Sequence, residues 1–182
     1  MEEKTEGILL QSIPYLGSKK ILKVLTPDLG LISLICKMKN QPAPFCIAEW
    51  VLRKNQKDLY PVIDFSLIDP LLHLRSDFTT LLTAGILASD LLKTQLPGKK
   101  APFALACTYF KKLSLSPNTL LASFRLKLLL YEGLLSSEET TFSPSEWQTA
   151  STLAFSRQFS EIIQVQNIPF SKIQSLFQER FT

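Results

Sequence analysis

The chain has 182 residues, enough for one compact domain or two small ones, and its 46% hydrophobic and 20% charged residues are the balance of a soluble globular protein with a core to bury. A formal net charge of +4 and a sequence pI near 9.0 lean toward polyanionic partners without requiring one. The apolar stretch from Leu81 to Leu92 is short and carries Asp90, which excludes a membrane span, and the acidic, polar start Met1-Glu2-Glu3-Lys4-Thr5-Glu6 is unlike a signal or transit peptide.

The first 65 or so residues read as strands. Gly7 to Ile13 is a β-leaning run closed by Pro14, with Gly17 as a turn signal. Ile21 to Thr26 is a second run, and Pro27-Asp28-Leu29-Gly30 is a turn in which Pro presets φ and Gly supplies a positive φ. Leu31 to Cys36 is a third strand and Phe45 to Leu52 a fourth. Leu59 to Phe65 is a weaker fifth, because Pro61 lacks an N–H and calls for an edge or a bulge. Five short strands with tight turns suit a small barrel, and the OB-fold is the commonest such object at this size.

From about Ile68 the spacing becomes helical. Asp77 caps a helix running to about Gln95, stopped by Pro97-Gly98, and Pro102 opens another through Leu113. Ser116-Pro117 starts a third, Asn118 to Leu135. Ser143-Pro144-Ser145-Glu146 is a capping box ahead of a helix with Trp147, Leu153, Phe155 and Phe159, and a last helix follows Pro169 with Ile173, Leu176, Phe177 and Phe181. The expected class is α+β, with an OB barrel over 1–66 and an all-helical domain over 67–182. Ser136 to Phe142 is the expected mobile loop.

Nothing in the sequence has the spacing of a catalytic or metal motif. His73 is the single histidine and reads as structural, and Cys36, Cys46 and Cys107 are far apart and odd in number, as buried thiols of a reducing cytoplasm are. No catalytic residue, metal site or cofactor is expected. The bases are more informative. Between Gly17 and Lys57 lie Lys19, Lys20, Lys23, Lys37, Lys39, Arg53, Lys54 and Lys57, opposed only by Asp28 and Glu49. Such residues at strand ends fit the nucleic-acid surface of an OB barrel, and they fit equally the lysines that keep strand edges from aggregating. Tyr15 and Trp50 are the candidates for base stacking.

From Lys93 to Tyr131 a second run has seven bases and no acid. Arg125 and Lys127, two apart, cannot share a helix face, and Lys111-Lys112 sits at a helix end where cations are favoured. Phe124, Leu128 and Tyr131 share the helix with Arg125 and Lys127, so a cationic apolar groove for an acidic peptide stands beside the simpler reading of core packing.

Several ordered pieces carry a family resemblance. Glu6-Gly7-Ile8-Leu9-Leu10, Lys20-Ile21-Leu22, the run Leu25-Thr26-Pro27-Asp28-Leu29-Gly30-Leu31, Pro44-Phe45, Leu74-Arg75-Ser76-Asp77, and Phe124 to Leu129 followed by Gly133 together resemble the RecO family of bacterial recombination mediators. The resemblance spans residues 6–133 and fades beyond. It implies binding of single- and double-stranded DNA, strand annealing, recombinase loading with RecR and single-strand-binding protein, and a cytoplasmic, nucleoid-associated location. It also implies that the helical domain takes the acidic C-terminal tail of single-strand-binding protein. Lys127 stands where the family usually has Arg and is the candidate for the tail carboxylate, with Phe124 and Tyr131 as groove wall; Arg125 sits where the family more often has an acid. The family's four-cysteine zinc ribbon has no counterpart between Leu134 and Trp147, which implies a zinc-free form. The basic segment before Pro44-Phe45, Met38 to Ala43, is short, with Lys39 its one charge, and the family's long C-terminal region looks truncated. The DNA-binding set is then Lys19, Lys20, Lys23, Lys37, Lys39, Arg53 and Lys54, without a catalytic role. The rival readings are an interaction adaptor that has lost DNA binding, an RNA-binding OB protein and, remotely, a hydrolase.

Overall fold

The computed structural model describes residues 2–37, 42–53, 59–94, 100–136 and 139–181. Lys39, Lys54, Lys57, Lys99 and the helix stop at Pro97-Gly98 lie outside the described residues. The chain forms two compact units, Met1–Ser76 with Thr94–Lys111, and Asp77–Lys93 with Lys112–Thr182.

The first unit is a closed five-stranded barrel in the order β1-β2-β3-β5-β4, with β1 Glu2–Tyr15, β2 Lys19–Thr26, β3 Gly30–Cys36, β4 Ile47–Arg53 and β5 Leu59–Asp69. This is the expected OB-type barrel, with helices following it. All neighbours are antiparallel except β3 and β5, which close the barrel through a parallel ladder of Ser33–Ile35 on Leu59–Pro61. β1 is longer than its apolar run suggests, because Glu2 to Ile8 pairs with β4 before Ile8 to Tyr15 pairs with β2. A bulge between Leu9 and Gln11 lets the strand turn from one neighbour to the other. Gly7 is packed against β2: a Cβ there would collide with the Val24 side chain.

Alternation sorts the barrel's side chains. Leu9, Leu22, Val24, Ile32, Leu34, Ala48, Trp50 and Leu52 fill the interior. The Trp50 indole donates to the Gly7 carbonyl at 3.2 Å and lies 5.6 Å from the Phe65 ring. The turn after β2 forms as its residues dictate: Gly30 has φ 69°, and the Thr26 hydroxyl accepts from the Leu29 amide at 3.1 Å and donates to the Gly30 carbonyl at 3.0 Å. Pro61 is not on an edge, since the barrel has none; it sits at the end of the parallel ladder, next to a register shift between β4 and β5 opposite Val51 and Leu52.

Helix α2 (Lys100–Lys112) clusters with the barrel. Phe110 stacks on Phe45 at 5.8 Å, and His73 Nε2 lies 2.9 Å from the Phe110 carbonyl. Arg75 donates to the carbonyls of Pro44 at 2.6 Å and Pro70 at 3.3 Å, which ties the chain after β5 to the start of β4. Burial pushes the Cys46 thiol up to about 11 and, with help from Glu6, the Cys107 thiol up to about 12, so neither is a thiolate near neutrality.

The second unit is built around α3 (Pro117–Tyr131), buried on nearly every side from Thr119 to Leu129. Helices α1 (Phe78–Lys93), α4 (Pro144–Phe155) and α6 (Phe170–Arg180) pack against it, and α5 is the short turn Phe159–Ile162. Asp77 caps α1 by accepting from the Thr80 amide at 2.9 Å. α3 ends earlier than Leu135, because Gly133 adopts φ 70° and the amides of Gly133 and Leu134 turn back to the carbonyls of Leu130 and Leu129. α4 ends before Phe159, because Ser156 is extended and its hydroxyl accepts from the Gln158 amide. Within the segment expected to be mobile, Phe142 is buried against Trp147, and Glu139 accepts from Thr141 and faces Arg180.

Two polar devices hold this unit. Arg125 donates from Nε to Asp90 at 2.7 Å, both residues are buried, and the guanidinium lies 5.5 Å above the Phe177 ring. The capping box is complete: Ser143 and Glu146 each bond the other's backbone amide, and Lys172 bonds the Glu146 carboxylate at 2.6 Å.

Two outcomes follow. Asp90→Ala leaves a buried guanidinium uncompensated and should cost about 3–5 kcal/mol in urea unfolding, whereas Asp90→Leu with Arg125→Met should recover most of that loss. Lys172, then Ser143, hold the Glu146 carboxyl down to about 2 from an ordinary 4.5. Its contribution to stability is therefore complete above about 4.5 and lost as pH falls toward 2. Glu146→Gln should melt lower than the native protein at about pH 6, with the gap narrowing as pH falls below about 4.5 and closed near pH 2.

Candidate nucleic-acid interface

The register of β1, β2 and β3 sets three parallel rows on the barrel's outer face. One row is Gln11, Lys23 and Ser33; the next is Ile13, Ile21 and Ile35; the third is Tyr15 and Lys19. Lys37 follows Cys36, whose partner is Lys20, so it stands beside the third row. Lys19 and Lys23 are half-buried, while Lys20 and Lys37 are exposed. Lys20 has inward parity, between Pro14 and Cys36, but lies at the strand's end, where its side chain leaves the barrel. The Lys23 ammonium donates to Ser33 Oγ at 2.8 Å, which lays its alkyl chain along the sheet. Between Gln11 and Lys37 the one acid is Asp28, in the turn at the far end of β2. The four ammonium groups thus share one field with no neutralising carboxylate on their strands.

The opposite face differs. Arg53 is exposed but pairs in register with Glu2, and along the outward positions of β1 and β4 come first Lys4 and Val51, then Glu6 and Glu49. Lys4 reaches Glu49 at 3.5 Å. Arg53 therefore stands apart from the lysines, on a side of mixed charge. Trp50 is no stacking platform: it is fully buried, as the inward parity of β4 requires. Tyr15 is exposed.

In the helical unit, the four residues considered for an acidic tail do not converge. Phe124 is fully buried, so it offers no groove wall. Arg125 faces α1 and α6 through Asp90 and Phe177. Lys127 points the other way and donates to the carbonyls of Ala154 at 3.0 Å and Ser156 at 2.7 Å, capping the negative end of α4. Burial, then the charge of Arg157, lowers its pKa from the ordinary lysine value. Tyr131 is exposed at the end of α3. A cavity of about 470 Å³ does open between α1, α3 and α6, walled by Ile86, Leu121, Phe170 and Ile173, with Arg125 at its side. Helical spacing could not have found it, since it depends on which faces the three helices turn toward one another.

Among the described residues no group of three or more His, Cys, Asp or Glu could hold a metal ion, and no helix is long and apolar enough to cross a membrane. The interval from Leu134 to Trp147 has no thiol, so its donors do not fit a zinc ribbon.

Residues 1–71 match the family model Recombination protein O N terminal. The chain is 31% identical over 144 residues to the DNA repair protein RecO of Caldicellulosiruptor bescii, covering 71% of this chain and 58% of the relative. It is 26% identical over 147 residues to the RecO of Chlamydia trachomatis serovar L2, covering 74% and 60%, and 29% identical over 143 residues to that of Clostridium kluyveri, covering 71% and 55%. The chain thus spans less than two thirds of these relatives' length. The region of the barrel thus matches the recombination protein O N-terminal family, and the chain is similar to the DNA repair proteins RecO.

Proposed function

We propose that this protein is a non-catalytic, nucleic-acid-binding factor of recombinational DNA repair that holds single-stranded DNA on the outer face of β1, β2 and β3. The observation that carries the reading is the cluster of Lys19, Lys20 and Lys23 on β2 and Lys37 at the end of β3, with no acid on either strand. Clustered ammonium groups neutralise phosphates and release counterions, which gives binding that is tolerant of sequence and sensitive to salt. The outer face of strands 2 and 3 is also where OB barrels in general receive oligonucleotides. Lys39 and Lys54 belong to the same proposal from the sequence alone, whereas Arg53, beside Glu2, contributes little to it.

The partners implied by the RecO relatives, a RecR-like protein and the acidic tail of single-strand-binding protein, are part of the same reading, as are double-stranded DNA, annealing and recombinase loading. For the tail, the cavity beside Arg125 suits the proposal better than Phe124 or Lys127, because its apolar wall can take an aromatic chain end. Arg125 is already paired with Asp90, so affinity there should come more from the wall than from charge.

Charge reversal tests the central part. The triple change Lys19→Glu, Lys20→Glu and Lys37→Glu should weaken binding of a labelled single-stranded 20-mer by more than about tenfold at low salt and flatten the dependence of log K on log salt by about 2. Fluorescence anisotropy reads both. Unchanged affinity and slope would remove the barrel face as the binding site.

A further inference from the structure

We infer that the hairpin tip Tyr15–Leu16 is a base-contacting element that inserts against the exposed bases of a single strand whose phosphates lie along the lysines. This rests on the reading of the β1–β2–β3 face as a nucleic-acid surface. Leu16 is 71% exposed and Tyr15 40% exposed at the turn between β1 and β2. Leu16 gains little there from burial in its own barrel, Tyr15 leaves a large part of its ring in solvent, and an apolar tip gives no protection against edge pairing in a barrel without edges. The support beneath it is stiff. Pro14 and Tyr15 pair in register with Lys20 and Lys19, Gly17 takes the turn at φ 66°, and the Lys19 amide returns to the Leu16 carbonyl at 3.4 Å.

The surroundings name the ligand. Tyr15 lies in the same outward set as Ile13, which is in register with Ile21 and then Ile35, so an apolar strip runs from the tip across three strands. Lys19 and Lys37 flank it on one side and Lys23 on the other. Apolar surface bordered by cations at strand spacing matches a molecule that alternates flat, weakly polar rings with anionic groups along one line, which is an unstacked nucleic-acid strand. A double helix hides its rings, and an acidic peptide presents no regular row of them. An anionic bilayer shares the charge and the greasy contact, but one leucine and one tyrosine bury little area in it.

Two probes separate bases from phosphates in the full chain: a labelled 20-mer of thymidylate and an abasic 20-mer with the same phosphates. The native protein should bind the thymidylate strand about tenfold tighter or more at one fixed salt. Tyr15→Ser with Leu16→Ser should bind both strands alike, at the abasic level, with an unaltered salt slope and a melting transition that stays cooperative. Equal binding of both strands by the native protein overturns the inference and leaves the lysine face standing. Salt-independent or absent binding of both removes the proposed function and the inference together. If the double variant loses only its binding to phosphatidylserine vesicles and keeps the preference for thymidylate, the tip serves a membrane and the inference falls.

Discussion

The short parallel ladder between β3 and β5 closes the barrel, and that closure decides which side chains meet solvent. Once the ladder is made, every strand must send alternate residues into one small interior. On β2 and β3 those residues are Leu22, Val24, Ile32 and Leu34. A slip of one residue would expose that set and drive Lys19 and Lys23 inward, at a cost no barrel of this size can absorb. The lysine face is therefore fixed by the same registers that fix the core. It needs no separate folding instruction.

The two basic stretches of the chain meet different fates. On the barrel the charges stay together and outside, and the acids collect on the far side around Glu2, Glu6 and Glu49, where Lys4 and Arg53 answer them. In the helical unit Arg125 and Lys127 are consumed by the unit itself, one by Asp90 and Phe177, the other by the carbonyls that end α4. Both uses are ordinary solutions to burying a long cationic chain: give the head a carboxylate, an aromatic face or a helix C-terminus. Arg125 and Lys127, two of the seven bases from Lys93 to Tyr131, are thus structural, whereas among the described residues Lys19, Lys20, Lys23 and Lys37 have no such internal use beyond the Lys23 bond to Ser33.

Much of the fold was legible because local chemistry and global structure agree in it. The capping box at Ser143, the turn at Pro27 to Gly30 and the five strand runs each form where the residues call for them. The departures come from long-range terms. Glu2 to Glu6 looks too charged for a strand, yet its outward charges and inward Thr5 suit a ladder with β4 that only closure supplies. Apolar spacing carries α3 on to Leu135, but Gly133 ends it through backbone bonds that periodicity does not register. Trp50 reads as a surface ring until the parity of β4 turns it inward, and Phe124 likewise belongs to the core of its unit. The lysine set was legible as residues but not as a surface, since separating Arg53 from Lys19, Lys20, Lys23 and Lys37 takes the strand order.

Amide chemical-shift mapping of the whole chain with a short single-stranded oligonucleotide bears most directly on the barrel face. The account predicts that the perturbed amides trace the outer rows of β1, β2 and β3, from Gln11 and Tyr15 through Lys19 and Lys23 to Ile35 and Lys37, with Glu2 to Glu6 and β4 unmoved. Perturbations confined to β4 and the first half of β1, or spread evenly around the barrel, would contradict it.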